Sequence, residues 1–169
     1  MRGQALKILG IDPGLIRSGY GVVQAAQGRF RVLEAGFVAT AAKGRTPLEK
    51  RLSAIHESIC EIIERQKPEA MAVEQLYSHY AHPRTAILMG HARGVIFLAA
   101  SKHGVPVISY SATQVKKSLT GNGRAGKQQM QRMVQTVLGL GALPSPPDVA
   151  DALAVALCHA NHSANVRGL

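Results

Sequence analysis

Twice in this chain a short apolar run stops on an acidic residue: Leu6 to Ile11 ends at Asp12-Pro13-Gly14, and Ala70 to Val73 ends at Glu74. Runs of this length, too short for helices and bounded by turn residues, read as core strands. Between them, Gly19 to Ala25 and Arg29 to Thr40 carry β-type residues on either side of Gln27-Gly28, which predicts a hairpin. Three antiparallel strands therefore open the chain. The hydrophobic period then changes. Leu48, Leu52, Ile55, Ile59 and Ile62 recur at helical spacing within 46–66, and Pro68 closes that helix. A second helix is expected over 84–103. It is apolar almost all round, through Ile87, Leu88, Val95, Ile96 and Leu98, so it is expected to be covered on more than one side, by its own sheet and by a second subunit. Val105 to Ser109 reads as a fifth strand. Two helices follow, at 126–138 and 146–163, separated by Gly139 to Pro147. A β-β-β-α-β-α-β-α-α order implies an α/β fold: a five-stranded mixed sheet flanked by helices. With no repeat or linker, one domain over 1–169 is expected, with a short flexible tail from about 161.

Charge narrows the partners. Lys and Arg number 20 against 10 acids, for a formal net charge of +10, which favours a polyanion. The cations are spread along the chain, so a folded basic surface is expected rather than a disordered arm. Cys60 and Cys158 sit in apolar helical contexts without ligand-like spacing and read as buried, reduced thiols. With no span long enough for a bilayer and no signal-peptide core, a cytoplasmic location is the expectation, without a membrane partner.

The acids are more telling. Only three aspartates occur, Asp12, Asp148 and Asp151, and all stand at element ends beside apolar sequence. Asp12 and Glu74 terminate core strands. Asp148 and Asp151, three apart at the start of a helix, share one face. Hard oxygen donors on separate elements are what a Mg²⁺ site requires. Two such ions about 3.5–4 Å apart can activate water and stabilise a leaving oxygen in phosphodiester hydrolysis. Each residue also has a plainer reading. Asp12-Pro13-Gly14 can be a turn and Glu74 a solvated strand end, while Ser145-Pro146-Pro147-Asp148 has the spacing of a helix capping box. His159 and His162, at i and i+3, fit a metal pair or ordinary helix-end histidines. No Ser/His/Asp or Cys/His nucleophile set is evident.

Lys116, Lys117, Arg124, Lys127 and Arg132 fall within 17 positions around Gly121-Asn122-Gly123. A glycine-containing loop between cations lets backbone amides and side chains approach phosphates together, although a solvated basic helix face has the same composition. Tyr77, three residues past Glu74, can stack on an unpaired base or sit as a rim residue.

These motifs, in order, resemble one family. Ile11-Asp12-Pro13-Gly14 with Ser18-Gly19-Tyr20-Gly21, then Ala72-Val73-Glu74-Gln75, Gln114-Val115-Lys116-Lys117 and Ala150-Asp151-Ala152-Leu153-Ala154 are similar to the RuvC family of Holliday-junction resolvases, from about Lys7 to Ala160. The resemblance implies an RNase H-like fold, a homodimer and paired nicking of four-way junction DNA, with RuvA and RuvB as branch-migration partners. It carries the catalytic and metal-binding roles onto Asp12, Glu74, Asp148 and Asp151. Two Mg²⁺ per subunit are implied, with Mn²⁺ able to substitute. Asp12 would bridge the ions, Glu74 and Asp151 would hold one each, and Asp148 would orient water. The resemblance selects Lys116 and Lys127 for DNA binding, beside Lys117, Arg124 and Tyr77. Departures are a few extra N-terminal residues, a short C-terminal tail, and Tyr77 where Phe is common. Two other classes share parts of the pattern. A ribonuclease H would use the same carboxylates as a monomer on a continuous hybrid. A non-catalytic DNA-binding module would have no use for acids clustered against a polyanion. The Asp12-Pro13-Gly14, Gly19, Gly21 pattern also resembles the phosphate-binding hairpin of actin-like kinases, but the chain is too short for their duplicated domain.

Overall fold

The fold is described from a computed structural model covering residues 5–39, 46–76 and 83–167. In chain order the elements are β1 (Leu6–Asp12), β2 (Arg17–Ala26), β3 (Arg29–Ala39), α1 (Leu48–Gln66), β4 (Ala70–Glu74), α2 (Pro83–Lys102), β5 (Val107–Tyr110), α3 (Ala112–Thr120), α4 (Lys127–Leu138) and α5 (Pro147–Arg167). The five strands form one sheet in the order β3-β2-β1-β4-β5. The opening hairpins pair antiparallel, whereas β4 runs parallel to both β1 and β5.

Alternation along β1 divides the interior into two cores. Leu6 and Ile8 pack with Val149, Leu153, Val155 and Leu157 of α5. Leu9 and Ile11 point the other way, onto Ile55 and Ile59 of α1 and Ile96 of α2. The sheet is thus covered on both faces, and β4 and the middle of β1 are apolar on both sides rather than alternating. On the α5 side the approach is very close. A Cβ placed on Gly10 would lie 2.1 Å from the Ala152 carbonyl oxygen, so only glycine lets α5 rest on the centre of β1.

Three expectations need correction. An additional helix, α3, lies between β5 and the Gly121-Asn122-Gly123 loop. Ser111 caps it, accepting from the Gln114 amide at 3.2 Å, while the Gln114 side chain accepts from the Ser111 amide at 2.8 Å. At nine residues, with Val115 its only buried position, it has too little apolar periodicity to be read from the sequence. Helix α5 continues to Arg167, past the point where a flexible tail was expected. Cys158 is buried as anticipated, but Cys60 is only half-buried. The expected third strand includes Thr40, which lies outside the described residues. Among the described residues no helix is long and apolar enough to cross a membrane.

Helix α2 is covered on one side only within the chain. Ala92, Ile96, Ala99 and Ala100 are buried and Val95 packs against the same core, whereas Ile87 and Leu98 are 62% and 48% exposed. Val95 is half-buried, with part of its side chain against the chain's own core. Ile87 remains on the open side.

Candidate active site

Pleating puts Asp12 on the same face of β1 as Leu6, Ile8 and Gly10, the face that carries α5. Glu74 shares its face of β4 with Ala72, which belongs to the α5-side core. Because β1 and β4 are parallel with Ile11 opposite Val73, the two carboxylates emerge side by side at the C-terminal ends of neighbouring strands. Helix α5 begins above them. A Cβ on Gly19 would lie 2.0 Å from the Asp148 carbonyl oxygen, so the first turn of α5 is pressed onto β2 where Gly19 pairs with Asp12. Asp148 stands in that first turn and Asp151 one turn on, where the positive end of the helix dipole favours carboxylates. The loop from Asp12 back to β2 is closed by Ser18. Its hydroxyl donates to the Gly14 carbonyl at 2.7 Å and accepts from the Gly14 amide at 3.0 Å. A cleft of about 190 Å³ opens over this point, lined by Asp12, Pro13, Glu74, Gln75, Leu76, Met89 and Ala112.

Electrostatics bear out the crowding. Burial pushes the Asp12 carboxyl up to about 8, helped by Glu74, Asp151 and Asp148 and opposed by Lys127. Glu74 is raised by burial and then by Asp151, with Lys116 and Lys127 opposing. Asp151 is likewise raised, mainly by burial, with Lys127 as the chief opposing charge. A group of partly buried carboxylates that resist ionisation together is unstable as an anion cluster and suited to a hard divalent cation. Two acids are engaged with cations. Arg17 donates from Nε to Asp148 Oδ2 at 2.5 Å, and Lys127 Nζ stands 3.7 Å from Asp151 Oδ2. Among the described residues, no three carboxylate, imidazole or thiol groups converge on one point. The donor chemistry nevertheless fits oxygen-seeking ions, and Asp12 lies close enough to Glu74, Asp151 and Asp148 for their charges to act on it.

The capping-box reading of Asp148 does not describe the structure. α5 starts at Pro147, one residue before Asp148, and the carboxylate is taken by Arg17 rather than by a helix end. The histidine pair is structural: the Tyr110 hydroxyl and His159 Nδ1 are 2.8 Å apart, and the His162 ring lies 5.7 Å from that of Tyr110. Lys116 and Lys127 flank the acids from α3 and the start of α4. Lys117 lines a different cavity, with Gln114, Ser118, Cys158, Asn161 and His162. Arg124 is exposed in the intervening loop, where its amide donates to Asn122 Oδ1 at 2.9 Å. Tyr77 lies outside the described residues. Sequence reasoning missed Arg17 and Arg93. Arg93 donates to the Glu74 carbonyl and, at 2.6 Å, to Ser109 Oγ, holding the end of β4 from α2. Neither arginine sits in a motif that marks it out, since both act through partners distant in sequence.

A mixed sheet with an antiparallel β1-β2-β3 half and a parallel β1-β4-β5 half, bearing acids at the ends of β1 and β4 and at the start of the covering helix, defines an RNase H-like nuclease. The chain matches the family described as crossover junction endodeoxyribonuclease RuvC over residues 8–159. It is 49% identical over 155 residues to RuvC of Pelotomaculum thermopropionicum, covering 92% of this chain and 93% of that protein. It is 51% identical over 156 residues to RuvC of Rhodopirellula baltica, covering 92% and 86%. The structure of Thermus thermophilus RuvC in complex with Holliday junction substrate matches with a TM-score of 0.88 at 38% identity, over 94% of each chain. This chain belongs to the RuvC family of crossover junction endodeoxyribonucleases.

Proposed function

We propose that this chain resolves Holliday junctions by paired, symmetric nicking, and that Asp12, Glu74, Asp148 and Asp151 form its catalytic and metal-binding set. The observation that carries the reading is the placement of Asp12 and Glu74 at the ends of neighbouring parallel strands under the first turns of α5, which carry Asp148 and Asp151, beside Lys116 and Lys127. The RuvC family is one of metal-dependent nucleases. Two Mg²⁺ per subunit, replaceable by Mn²⁺, would supply water activation and neutralisation of charge on the scissile phosphate. Asp12, on the central strand and acted on by the charges of the other three acids, would be the shared ligand in holding the ions. Glu74 and Asp151 would each help to hold one ion, and Asp148 would orient the attacking water. Direct hydrolysis leaves 5′-phosphate and 3′-hydroxyl ends.

Lys116 and Lys127 offset the acids in the free protein and become available to phosphates once cations take over that task. Lys117, Arg124 and Tyr77 extend the DNA contact, the last by stacking on a base at an opened junction. Two symmetric nicks call for an isologous dimer, and the open side of α2 at Ile87 and Leu98 is the surface suited to it. A single domain over 1–169, a cytoplasmic location and cooperation with RuvA and RuvB accord with family membership.

The test is incubation with a four-way junction, a linear duplex and an RNA–DNA hybrid, each with and without Mg²⁺. Paired nicks in the junction alone, only with Mg²⁺, are expected. Preferential cutting of the hybrid would replace this reading with a ribonuclease H. Junction binding without cutting in Mg²⁺ or Mn²⁺ would leave a binding module.

A further inference from the structure

Arg17 and Gly19 lie two apart on β2 and so share the face of the sheet that carries α5. Gly19 is the point where the Asp148 backbone presses onto β2, which brings the Arg17 side chain to the first turn of α5. There its Nε donates to Asp148 Oδ2 at 2.5 Å. The guanidinium is held from its other side: Arg17 Cζ stands 5.5 Å from the centre of the Phe37 ring, and Phe37 is the β3 residue paired with Gly19. An aromatic face against one side and a carboxylate at the edge fix a planar guanidinium in a way a lysine ammonium does not reproduce. Phe37, 45% exposed at its position in the sheet, has this stacking as its visible role. The pair forms part of the wall of a cavity of about 750 Å³ that also includes Arg51 and Met89.

We propose that Arg17 is a positioning residue for the acid cluster: seated on Phe37, it holds the Asp148 carboxylate in place and offsets its charge while no cation is bound. The inference rests on Asp148 belonging to the catalytic set. Without Arg17 the Asp148 carboxylate would lose its one charged partner at hydrogen-bond distance and the side chain that fixes its direction, and would stand as an unpaired anion near Asp12 and Asp151. The metal-free protein then loses stability, and cation binding relieves more repulsion than before. The rate suffers separately, because a water-orienting carboxylate without a fixed direction loses the benefit of proximity.

The experiment compares Arg17→Gln, Arg17→Lys, Asp148→Asn and the Arg17→Gln/Asp148→Asn pair. Thermal unfolding is followed in EDTA and in Mg²⁺, with single-turnover junction cleavage at saturating Mg²⁺ and junction affinity in EDTA. Arg17→Gln is expected to lower the melting temperature in EDTA, to keep or enlarge the rise produced by Mg²⁺, and to slow cleavage by about 10–100-fold. Arg17→Lys, which keeps the charge, should recover most of the stability but only part of the rate. In the Asp148→Asn background Arg17→Gln should add little to either. A Mg²⁺-induced rise that shrinks overturns the proposal. So does an Arg17→Gln effect of equal size in both backgrounds with weakened junction affinity, which would make Arg17 a phosphate contact. If Asp148→Asn cuts at the normal rate, the assignment of Asp148 falls and the inference with it. If Asp148→Asn is inactive while Arg17→Gln cuts normally, the inference alone falls.

Discussion

Replacing Asp12 with Asn should make the metal-free protein more stable, by an amount that grows with pH. The Asp12 carboxyl is raised from 3.8 to about 8 in the folded state, first by burial and then by Glu74, Asp151 and Asp148. Below 3.8 the folded and unfolded chains both carry the proton, and Asp12 places no pH-dependent burden on folding. Between 3.8 and 8 the unfolded chain releases it and the folded chain keeps it, so stability is progressively lost as pH rises through that window. Each pH unit is worth about 1.36 kcal/mol, so from pH 5 to pH 8 the loss from this one group is about 4 kcal/mol. Asn has nearly the shape of the protonated acid and does not titrate. Its advantage over wild type should therefore widen by about 4 kcal/mol over those three units, or about 8–16 °C in melting temperature for a chain of this size. Urea unfolding of both proteins in EDTA at pH 5, 6.5 and 8 measures it directly. With Mg²⁺ the order should reverse, because a bound cation stabilises the wild-type cluster and the variant lacks the central ligand. A wild type–variant difference that stays flat with pH, or that moves in favour of wild type as pH rises in EDTA, would refute the crowded-carboxylate argument. The same variant should bind a four-way junction at least as tightly as wild type and fail to cut it.

Lys116→Ala and Lys127→Ala should each weaken junction binding and make the log–log salt slope shallower by about 1 per lost phosphate contact, as read by filter binding from low to moderate salt. Gly10→Ala, whose new Cβ would meet the Ala152 carbonyl at 2.1 Å and the Ala156 Cβ at 2.8 Å, should cost at least about 1–3 kcal/mol in a denaturant melt. It should also abolish cleavage, because it lifts the helix that carries Asp148 and Asp151. Ile87→Lys together with Leu98→Lys should convert a dimer to a monomer in sedimentation experiments and replace paired nicks by single ones, leaving the monomer folded because both positions are exposed within the chain.

Much of this protein is written in local sequence. Strand or helix identity for β1 to β5, α1, α2, α4 and α5 follows from the runs and periods of apolar residues, which mark the positions each element turns toward a core. The candidate acids were legible for a related reason. A carboxylate that ends a core strand, such as Asp12 after Ile11 or Glu74 after Val73, breaks a run that burial would otherwise keep apolar. Helix α3 escaped because it buries only Val115, and its capping box involves polar residues common in any loop. What the tertiary structure alone decided is which distant residues act on those acids. The parallel register of β1 with β4 sets Asp12 beside Glu74, the contact at Gly19 seats α5 over them, and Arg17 reaches Asp148 across 131 positions. Charge interactions depend on separation in space, and an exposed arginine has the same local sequence character whether it meets water or a carboxylate. The plainer reading of Asp148 as a capping acid was equally consistent with Ser145-Pro146-Pro147-Asp148 as written. It gives way because α5 begins at Pro147 and the fold delivers a guanidinium to that carboxylate.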